Sequence, residues 1–221
     1  TSVAHRTFWA MLILWGVVLM RGHSLPRDLR SWTDFFGVGM LNNVVPFTLM
    51  AWGQLFIASG LTSIFNAATA IFGALAAALF FADERISLRK GIGVALGFFG
   101  VITAVGADAL RGFDIKNLAQ LAVIAGTISY ALAGVWARKR LTQMPPELAA
   151  AGMLSMATLV TVPLAWVLEG PITLRLQTDT MLAIFYYAAI ATAGAYLLYY
   201  RILAVAGSSN VMLVTLLIPP V

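Results

Sequence analysis

Cysteine is absent from this chain, and histidine occurs only at His5 and His23. Without cysteine there are no disulfides, no thiolate nucleophiles and no cysteine metal ligands. The two histidines lie at opposite ends of one apolar segment, so they cannot share a metal ion. We therefore expect no metal centre and no cofactor.

Charged residues are scarce as well. They make up 10% of the chain, whereas 61% of it is hydrophobic. Soluble domains have about 25% charged and about 45–50% apolar residues. A soluble fold of this length could not bury so many apolar side chains, so the excess must face lipid. The net charge of +5 comes from short basic clusters between apolar segments, which is typical of membrane loops and not of a nucleic-acid surface.

The nine acidic residues all fall between apolar segments or at their ends. The sequence thus offers no carboxylate pair at membrane depth, and no glycine-rich phosphate loop precedes a helix. Since catalysis needs convergent titratable groups, we predict that the chain is not an enzyme. Proton relays use Asp, Glu or His inside spans. Facilitated transport therefore fits the sequence at least as well as proton antiport, and we expect no buried charge at a substrate site.

Eight apolar segments are candidate membrane spans, because about 20 apolar residues cross the hydrocarbon core. They lie near residues 4–20, 34–58, 61–82, 91–107, 117–137, 148–168, 181–204 and 209–221. The last is short and ends at Pro219–Pro220–Val221, so we expect the chain to stop inside a span. Short connections make neighbouring helices antiparallel. The fold class predicted is an all-α polytopic transmembrane bundle.

The basic residues predict an orientation for this bundle. Assigning every Lys and Arg to alternate sides places ten on one side and four on the other. Basic residues near span ends stay cytoplasmic, so the larger group is predicted to face the cytoplasm. It comprises Arg21, Arg27, Arg30, Arg85, Arg89, Lys90, Arg138, Lys139, Arg140 and Arg201, and the smaller group comprises Arg6, Arg111, Lys116 and Arg175.

An internal repeat is visible at a shift of 147 positions. This shift superposes residues 52–60 on residues 199–207 and carries the span at 4–20 onto the span at 148–168. We infer a first repeat at 1–110 that lacks its first helix and a second at 111–221 that lacks its last. Each complete repeat then has five helices, and the complete protein has ten. Because five is odd, the repeats are inverted, an architecture of secondary transporters with a substrate site near midplane.

Polar residues near midplane are the candidate substrate ligands of the first repeat. Asn42, Asn43 and Pro46 lie within the second span. Pro46 cannot donate to the carbonyl of Asn42, so a backbone acceptor is freed at membrane depth. The alternative, which we weigh equally, is a structural kink with both amides bound to a neighbouring helix.

The second repeat offers Ser129, Tyr130 and Tyr196 at comparable depth. Thr192, Tyr196 and Tyr199 are spaced i, i+4 and i+7 and share one helical face. We predict that Tyr196 forms an aromatic wall of the cavity. We expect neutral amides, hydroxyls and freed carbonyls to supply its polar contacts.

Two further groups of polar residues concern structure more than substrate. Gln54 and Asn66 lie six residues on either side of Gly60, so antiparallel helices would place them at equal depth. We predict an interhelical hydrogen bond between them, with substrate contact as the alternative. For Asp83–Glu84–Arg85, at the end of the third span, we predict a salt-bridge cluster or cap, with a gate as the alternative.

Several stretches resemble the EamA-type carriers of the drug/metabolite transporter superfamily. They are residues 42–47, 52–54, 58–67, 82–86, 195–203 and 217–219. One departure is Ala70, where family members usually have a fourth-helix proline, while Pro219 keeps the proline of the second half. The resemblance implies a ten-helix carrier of the bacterial inner membrane that exports small metabolites by alternating access between inverted repeats. Aromatic and neutral amino acids, as carried by YddG-type exporters, are the substrates it favours.

Two other functions stay open beside amino-acid export. One is transport of drugs or lipid-like amphiphiles, and the other is a membrane scaffold that transports nothing. In each case the lipid bilayer is a partner and nucleic acid is not. For a carrier we also expect a small-molecule substrate, and a monomer suffices.

Overall fold

A computed structural model of the chain describes residues 2–114, 117–170 and 178–217. These ranges are helical, with short turns and no strands. Seven helices within them are long and apolar enough to cross a membrane, which confirms the predicted all-α polytopic bundle. They are Ser2–Met20, Leu29–Gly53, Ser59–Phe80, Leu88–Val105, Leu118–Leu141, Pro146–Glu169 and Asp179–Leu217.

Irregular turns subdivide some of these helices. The α-helical segments are α1 (Ser2–Met20), α2 (Leu29–Gly39), α3 (Val45–Gly53), α4 (Ser59–Ala67), α5 (Thr69–Phe80), α6 (Leu88–Val105), α7 (Leu118–Leu141), α8 (Pro146–Glu169), α9 (Thr178–Phe185) and α10 (Ala195–Met212). Met40–Val44 and Tyr186–Gly194 are π-helical, and Ala82–Glu84, Ala107–Gly112 and Leu213–Leu217 are 3₁₀-helical.

The last two predicted segments are joined in the structure, so seven helices account for the eight segments. Asp179–Leu217 is one run of 39 residues. It is interrupted at Gly207, whose φ of 83° and ψ of 170° are not helical. Gly207 is the residue that the repeat placed between two spans. Residues 218–221, and with them Pro219, lie outside the described ranges.

Contacts divide the chain into two compact units that differ from the predicted repeats. Unit 1 is Thr1–Val44 with Lys139–Ala204, and unit 2 is Val45–Arg138 with Val205–Val221. Each unit therefore takes residues from both sequence repeats.

Unit 1 is built around the antiparallel pair α1 and α8. The hydroxyls of Thr7 and Thr161 lie 2.9 Å apart, and Trp15 Nε1 donates to Ser155 Oγ at 2.8 Å. Helix α2 packs against α8 at Gly152, where a Cβ would overlap the Phe35 ring. The small residue thus lets an aromatic ring fill the space between these two helices.

Unit 2 has three apolar clusters between its helices. Leu61, Phe65 and Val123 form one, Ile64, Ala67 and Val101 form the second, and Ala70, Ala74 and Val94 form the third. Helix α7 passes close to the end of α3, where a Cβ on Gly53 would lie 3.0 Å from the carbonyl oxygen of Ala119.

The two π-helical segments lie at positions that the sequence repeat relates. The shift of 147 places Met40–Val44 on residues 187–191, which lie within Tyr186–Gly194. Apolar sequences align easily by chance, but π-helical turns are rare. The same irregularity at equivalent positions supports the repeat independently of residue identity.

Candidate functional site

Asn42 and Asn43 lie in the π-helical turn Met40–Val44, just before Pro46. The proline cannot donate a backbone hydrogen bond, which favours a wider turn at this point. Asn42 is 3% exposed and Asn43 is fully buried. Two amide side chains are thus held inside a span at a type of turn that is frequent at functional sites.

Helix α10 brings tyrosines to these amides within unit 1. The Tyr196 hydroxyl donates to Asn43 Oδ1 at 2.7 Å, and Asn42 Nδ2 donates to the Tyr196 oxygen at 3.2 Å. Asn42 Nδ2 also lies 3.5 Å from the sulfur of Met153, to which the Tyr200 hydroxyl donates at 3.3 Å. We call these five residues the amide–tyrosine cluster. Three predicted site residues, Asn42, Asn43 and Tyr196, therefore lie together.

The cluster retains unfilled hydrogen-bonding capacity. Among the described residues, Asn43 Nδ2 and the Tyr199 hydroxyl are buried without a partner. Leaving a buried polar group unpaired costs about 1–3 kcal/mol. The rings of Tyr196 and Tyr199 meet edge to face at 6.1 Å, and those of Tyr199 and Tyr200 at 5.2 Å. The arrangement combines spare donors with an aromatic surface.

The other predicted site residues lie in unit 2, where α3 meets α7. Pro46 is buried, and a Cβ on Gly126 would lie 3.4 Å from its Cα. The ring of Tyr130 meets that of Phe47 edge to face at 6.4 Å. Ser129 is 5% exposed. Each of these residues therefore occupies a position inside unit 2.

Arg6 makes a contact inside unit 1 that its place in the sequence did not predict. It belongs to α1, is half-buried, and its Nε donates to Thr192 Oγ1 at 2.7 Å. Thr192 is fully buried in the second π-helical segment. Sequence position alone put Arg6 at a span end, but a long side chain can run along an apolar surface to a partner deeper in the protein. An ionisable residue within a span is by default a candidate functional residue.

The predicted hydrogen bond between Gln54 and Asn66 is wrong. Helix α3 ends at Gly53, so Gln54 lies in the exposed turn that follows. The Oδ1 atom of Asn66 is buried and has no partner in the part of the chain that the structure describes. Gln54 and Asn66 would lie at equal depth only if both helices continued to Gly60. Helix α3 ends at Gly53 instead.

The ionic cluster predicted after the third span is present, and Lys90 lies 3.8 Å from Glu84, but the shortest contacts are to residues distant in sequence. In unit 2, Arg138 binds Glu84 Oε1 and Asp83 Oδ2, each at 2.5 Å. Glu84 also accepts from the backbone nitrogens of Ser208 and Ser209, both at 2.7 Å, and from Ser208 Oγ at 2.9 Å. The carboxylate therefore caps the helical run that restarts after Gly207.

Gly207 is required at this cap for two reasons. Its backbone conformation is essentially restricted to glycine. In addition, a Cβ there would lie 2.6 Å from Glu84 Oε1.

Ion pairs within each unit agree with the alternating assignment of loops. Arg21 binds Glu147 at 2.8 Å, Arg140 lies 3.8 Å from Asp34, and Arg138 binds Asp83. All three arginines were predicted on one side of the membrane. Lys116 and Arg175, from the smaller group, lie outside the described residues.

Comparison with known proteins gives one match. The family model described as the EamA-like transporter family matches residues 1–106 and again residues 117–221. No curated protein and no solved structure matches the chain.

Proposed function

Because the chain belongs to the EamA-like transporter family, we propose that it exports neutral and aromatic amino acids, as YddG-type exporters do. The family consists of membrane transporters and not of enzymes, and the seven apolar helices fit a multi-pass membrane protein. The bacterial inner membrane is the location we propose. The partners are the bilayer and one small-molecule substrate, with no nucleic acid, and a monomer suffices.

The main support for an amino-acid substrate is the buried amide nitrogen of Asn43, which has no partner among the described residues. An amino acid brings a carboxylate with two acceptor oxygens into a span. Asn43 Nδ2 and the Tyr199 hydroxyl are buried donors without partners within residues 2–114, 117–170 and 178–217. Pairing them with a carboxylate would offset the cost of about 1–3 kcal/mol for each unpaired group.

The tyrosines of the amide–tyrosine cluster and the neighbouring Tyr199 account for the side-chain preference. The rings of Tyr196, Tyr199 and Tyr200 follow one another at 6.1 and 5.2 Å. Edge-to-face and offset contacts between aromatic rings contribute about 0.5–1.5 kcal/mol beyond buried area. A flat or apolar substrate side chain therefore gains more from this surface than a charged one.

Transport proceeds in this proposal by alternating access of the two repeats, which is the mode common among inverted-repeat carriers. Asn43 and Tyr196 come from different repeats, and their hydrogen bond joins them within unit 1. Breaking and remaking that bond is the step at which a substrate would exchange for a protein partner.

The test is counterflow of a panel of labelled amino acids in proteoliposomes. Asn43→Ala should reduce the flux of every substrate similarly, because the amide binds the part that amino acids share. Tyr196→Ala should change the order of preference among substrates. Asn210→Ala is the matched control, since Asn210 is exposed and bonds only to Ala206 of its own helix.

Three results would contradict the proposal. Flux of amphipathic cations without flux of amino acids would indicate a drug carrier. No substrate-dependent flux at all would indicate a scaffold. Normal flux of the whole panel in both variants would place the substrate site away from the amide–tyrosine cluster.

A further inference from the structure

An apolar cavity of about 560 Å³ lies in unit 1, between α1 and the helical run that begins with α9. One face of each helix lines it, with residues spaced by three or four along the chain. The lining includes His5, Trp9 and Ile13 on one side and Met181, Phe185 and Ala188 on the other. Small-molecule sites are mostly apolar, with a few polar groups, and have volumes of about 300–1,000 Å³.

The cavity has a buried floor and an exposed rim. His5 is 5% exposed and Ala188 is fully buried, whereas Trp9 is 40% exposed and Phe185 64%. Both helical runs are long and apolar enough to cross a membrane, so the rim faces lipid tails. A molecule dissolved in the bilayer therefore reaches His5 by passing the rim.

His5 brings an unused hydrogen-bonding atom to the floor of the cavity. Its Nε2 is buried and has no partner within the described ranges, which is unfavourable for a polar atom. A ring nitrogen of histidine donates or accepts a hydrogen bond depending on the tautomer. A hydroxyl group can do both, so it pairs with Nε2 in either case. The floor thus favours a ligand that carries a hydroxyl.

The rest of the lining favours a neutral aromatic ring. The described residues that line this cavity include no Asp, Glu, Lys or Arg, so a charged ligand would be buried there without a counter-charge. Arg6 lines an adjoining cavity and is bonded to Thr192. Trp9 and Phe185 offer their rings and Met181 its sulfur, and all three groups make favourable contacts with an aromatic ring.

The repeat-related contact holds an aromatic ring of the protein itself. The shift of 147 carries His5 onto Gly152 and Phe35 onto Leu182. The Phe35 ring lies so close to Gly152 that a Cβ there would overlap it. At the contact between α1 and α9 the ring is replaced by Leu182, which is 64% exposed, and the space beside His5 stays open. A ligand ring would take the place that Phe35 fills in the related contact.

We infer that this cavity binds a small neutral aromatic molecule with a hydroxyl group, of the phenol type. The hydroxyl pairs with His5 Nε2, and the ring lies between Trp9 and Phe185. An amino acid carries two charges and does not fit this lining. The inference therefore goes beyond the proposed transport of amino acids and does not depend on it.

The test is photolabelling of the full chain in proteoliposomes with a phenol that carries a diazirine, followed by peptide mass spectrometry. Labels are expected on residues 9–13 and 181–185. Phenol should compete with the probe about two- to twelvefold better than toluene at equal concentration in the membrane, because toluene lacks only the hydroxyl and its hydrogen bond. Equal competition by phenol and toluene would show a groove filled by any apolar molecule and would overturn the inference.

Two variants of His5 test the hydrogen bond. His5→Leu should be tolerated by the fold, because the nitrogen that it removes bonds to none of the residues that the structure describes. The advantage of phenol over toluene should disappear in this variant. His5→Gln, which keeps a donor and an acceptor, should retain part of it. An undiminished advantage in His5→Leu would show that His5 is not the partner of the hydroxyl and would overturn the inference.

A third variant fills the space and keeps His5. Ile13→Trp should abolish labelling of residues 181–185, and it decides the matter if His5→Leu fails to fold. Leu96→Trp is the matched control, because Leu96 is 67% exposed on α6 in unit 2. Unchanged labelling in Ile13→Trp would overturn the inference. Excess tryptophan should not block labelling of the wild-type protein. If it blocks labelling as phenol does, the cavity takes charged amino acids and the inference is wrong.

Discussion

Two buried polar clusters, one in each unit, differ in how completely their hydrogen-bonding groups are paired. In unit 2 the Glu84 carboxylate accepts from Arg138, Ser208 and Ser209, and both of its oxygens are used. In unit 1, neither Asn43 Nδ2 of the amide–tyrosine cluster nor the neighbouring Tyr199 hydroxyl has a partner among the residues that the structure describes. Protein groups satisfy both carboxylate oxygens of Glu84, whereas polar atoms in and beside the amide–tyrosine cluster have no partner among the described residues.

The difference separates structural polar groups from those available to a ligand. Removing a buried charged group that is fully paired is strongly destabilising, because its former partners are left buried without a compensating group. The Asn43 amide has a paired oxygen and an unpaired nitrogen, and replacing both partners of its hydrogen bond with apolar groups of similar shape can be neutral or stabilising. The two clusters should therefore respond in opposite ways to the loss of their polar atoms.

The largest effect is expected for Glu84→Ala. It leaves Arg138 with Asp83 alone and the two serine amides without their acceptor, which should lower the free energy of unfolding by about 3–5 kcal/mol. Denaturant unfolding in detergent, followed by circular dichroism, measures this. Glu84→Gln, which keeps the size and one acceptor, should lose less. Equal losses for Ala and Gln would show that the charge has no part in the cap.

Gly207→Ala should have the next largest effect. The conformation at Gly207 disfavours any Cβ by about 1–3 kcal/mol, and the added atom would also press on Glu84. We expect a loss of unfolding free energy in that range. Gly100→Ala is the control, because a Cβ on Gly100 meets nothing within 4 Å inside α6. If both variants unfold alike, the break within α10 is not specified by Gly207.

A smaller effect is expected from pH at the exposed edge of the Glu84 cluster. The hydrogen bond from Arg138 holds the pKa of Asp83 below its ordinary value of 3.8. Because the pKa is lower in the folded state, the stabilisation is present above about pH 4 and is lost as pH falls through the folded value. Asp83→Asn should weaken that acid-side loss. An unchanged slope of stability below pH 4 would contradict the assignment.

The smallest change in stability is expected for the double variant Asn43→Leu with Tyr196→Phe. It removes the hydrogen bond between the two side chains and the unpaired amide together, and Asn42 keeps its contact with Met153. The free energy of unfolding should stay within about 1 kcal/mol of the parent, while amino-acid flux is lost. A loss of stability close to that of Glu84→Ala would remove the distinction between the clusters.

The irregular parts of the spans could be predicted from the sequence better than the partners of the polar side chains. The pattern Asn42–Asn43 followed by Pro46 predicted a perturbed helix, and a π-helical turn is present there. Local backbone rules sufficed, because the missing donor of a proline acts within one turn.

The partners could not be predicted because they depend on where helices end and how far side chains reach. Gln54 was assigned to a helix that stops one residue earlier. Arg6 was placed at a span end, although its side chain extends to Thr192. For Glu84 the charge pattern predicted an ionic cluster. Its partner Arg138 is 54 residues away and is brought close by packing, which no local sequence pattern indicates.

The π-helical turn Met40–Val44 ends at Val44, where the first of the two segments of unit 1 also ends. An α-helix turns by roughly 100° and rises about 1.5 Å for each residue. If the extra residue of the π-helical turn became part of a regular α-helix, α3 would turn by roughly 100° about its own axis. It would also shift by about 1.5 Å along that axis. Pro46, on the first turn beyond, would be carried from one helical face to another by that rotation. A single hydrogen-bond shift in the backbone would thus change which side chains of the second span face the protein interior.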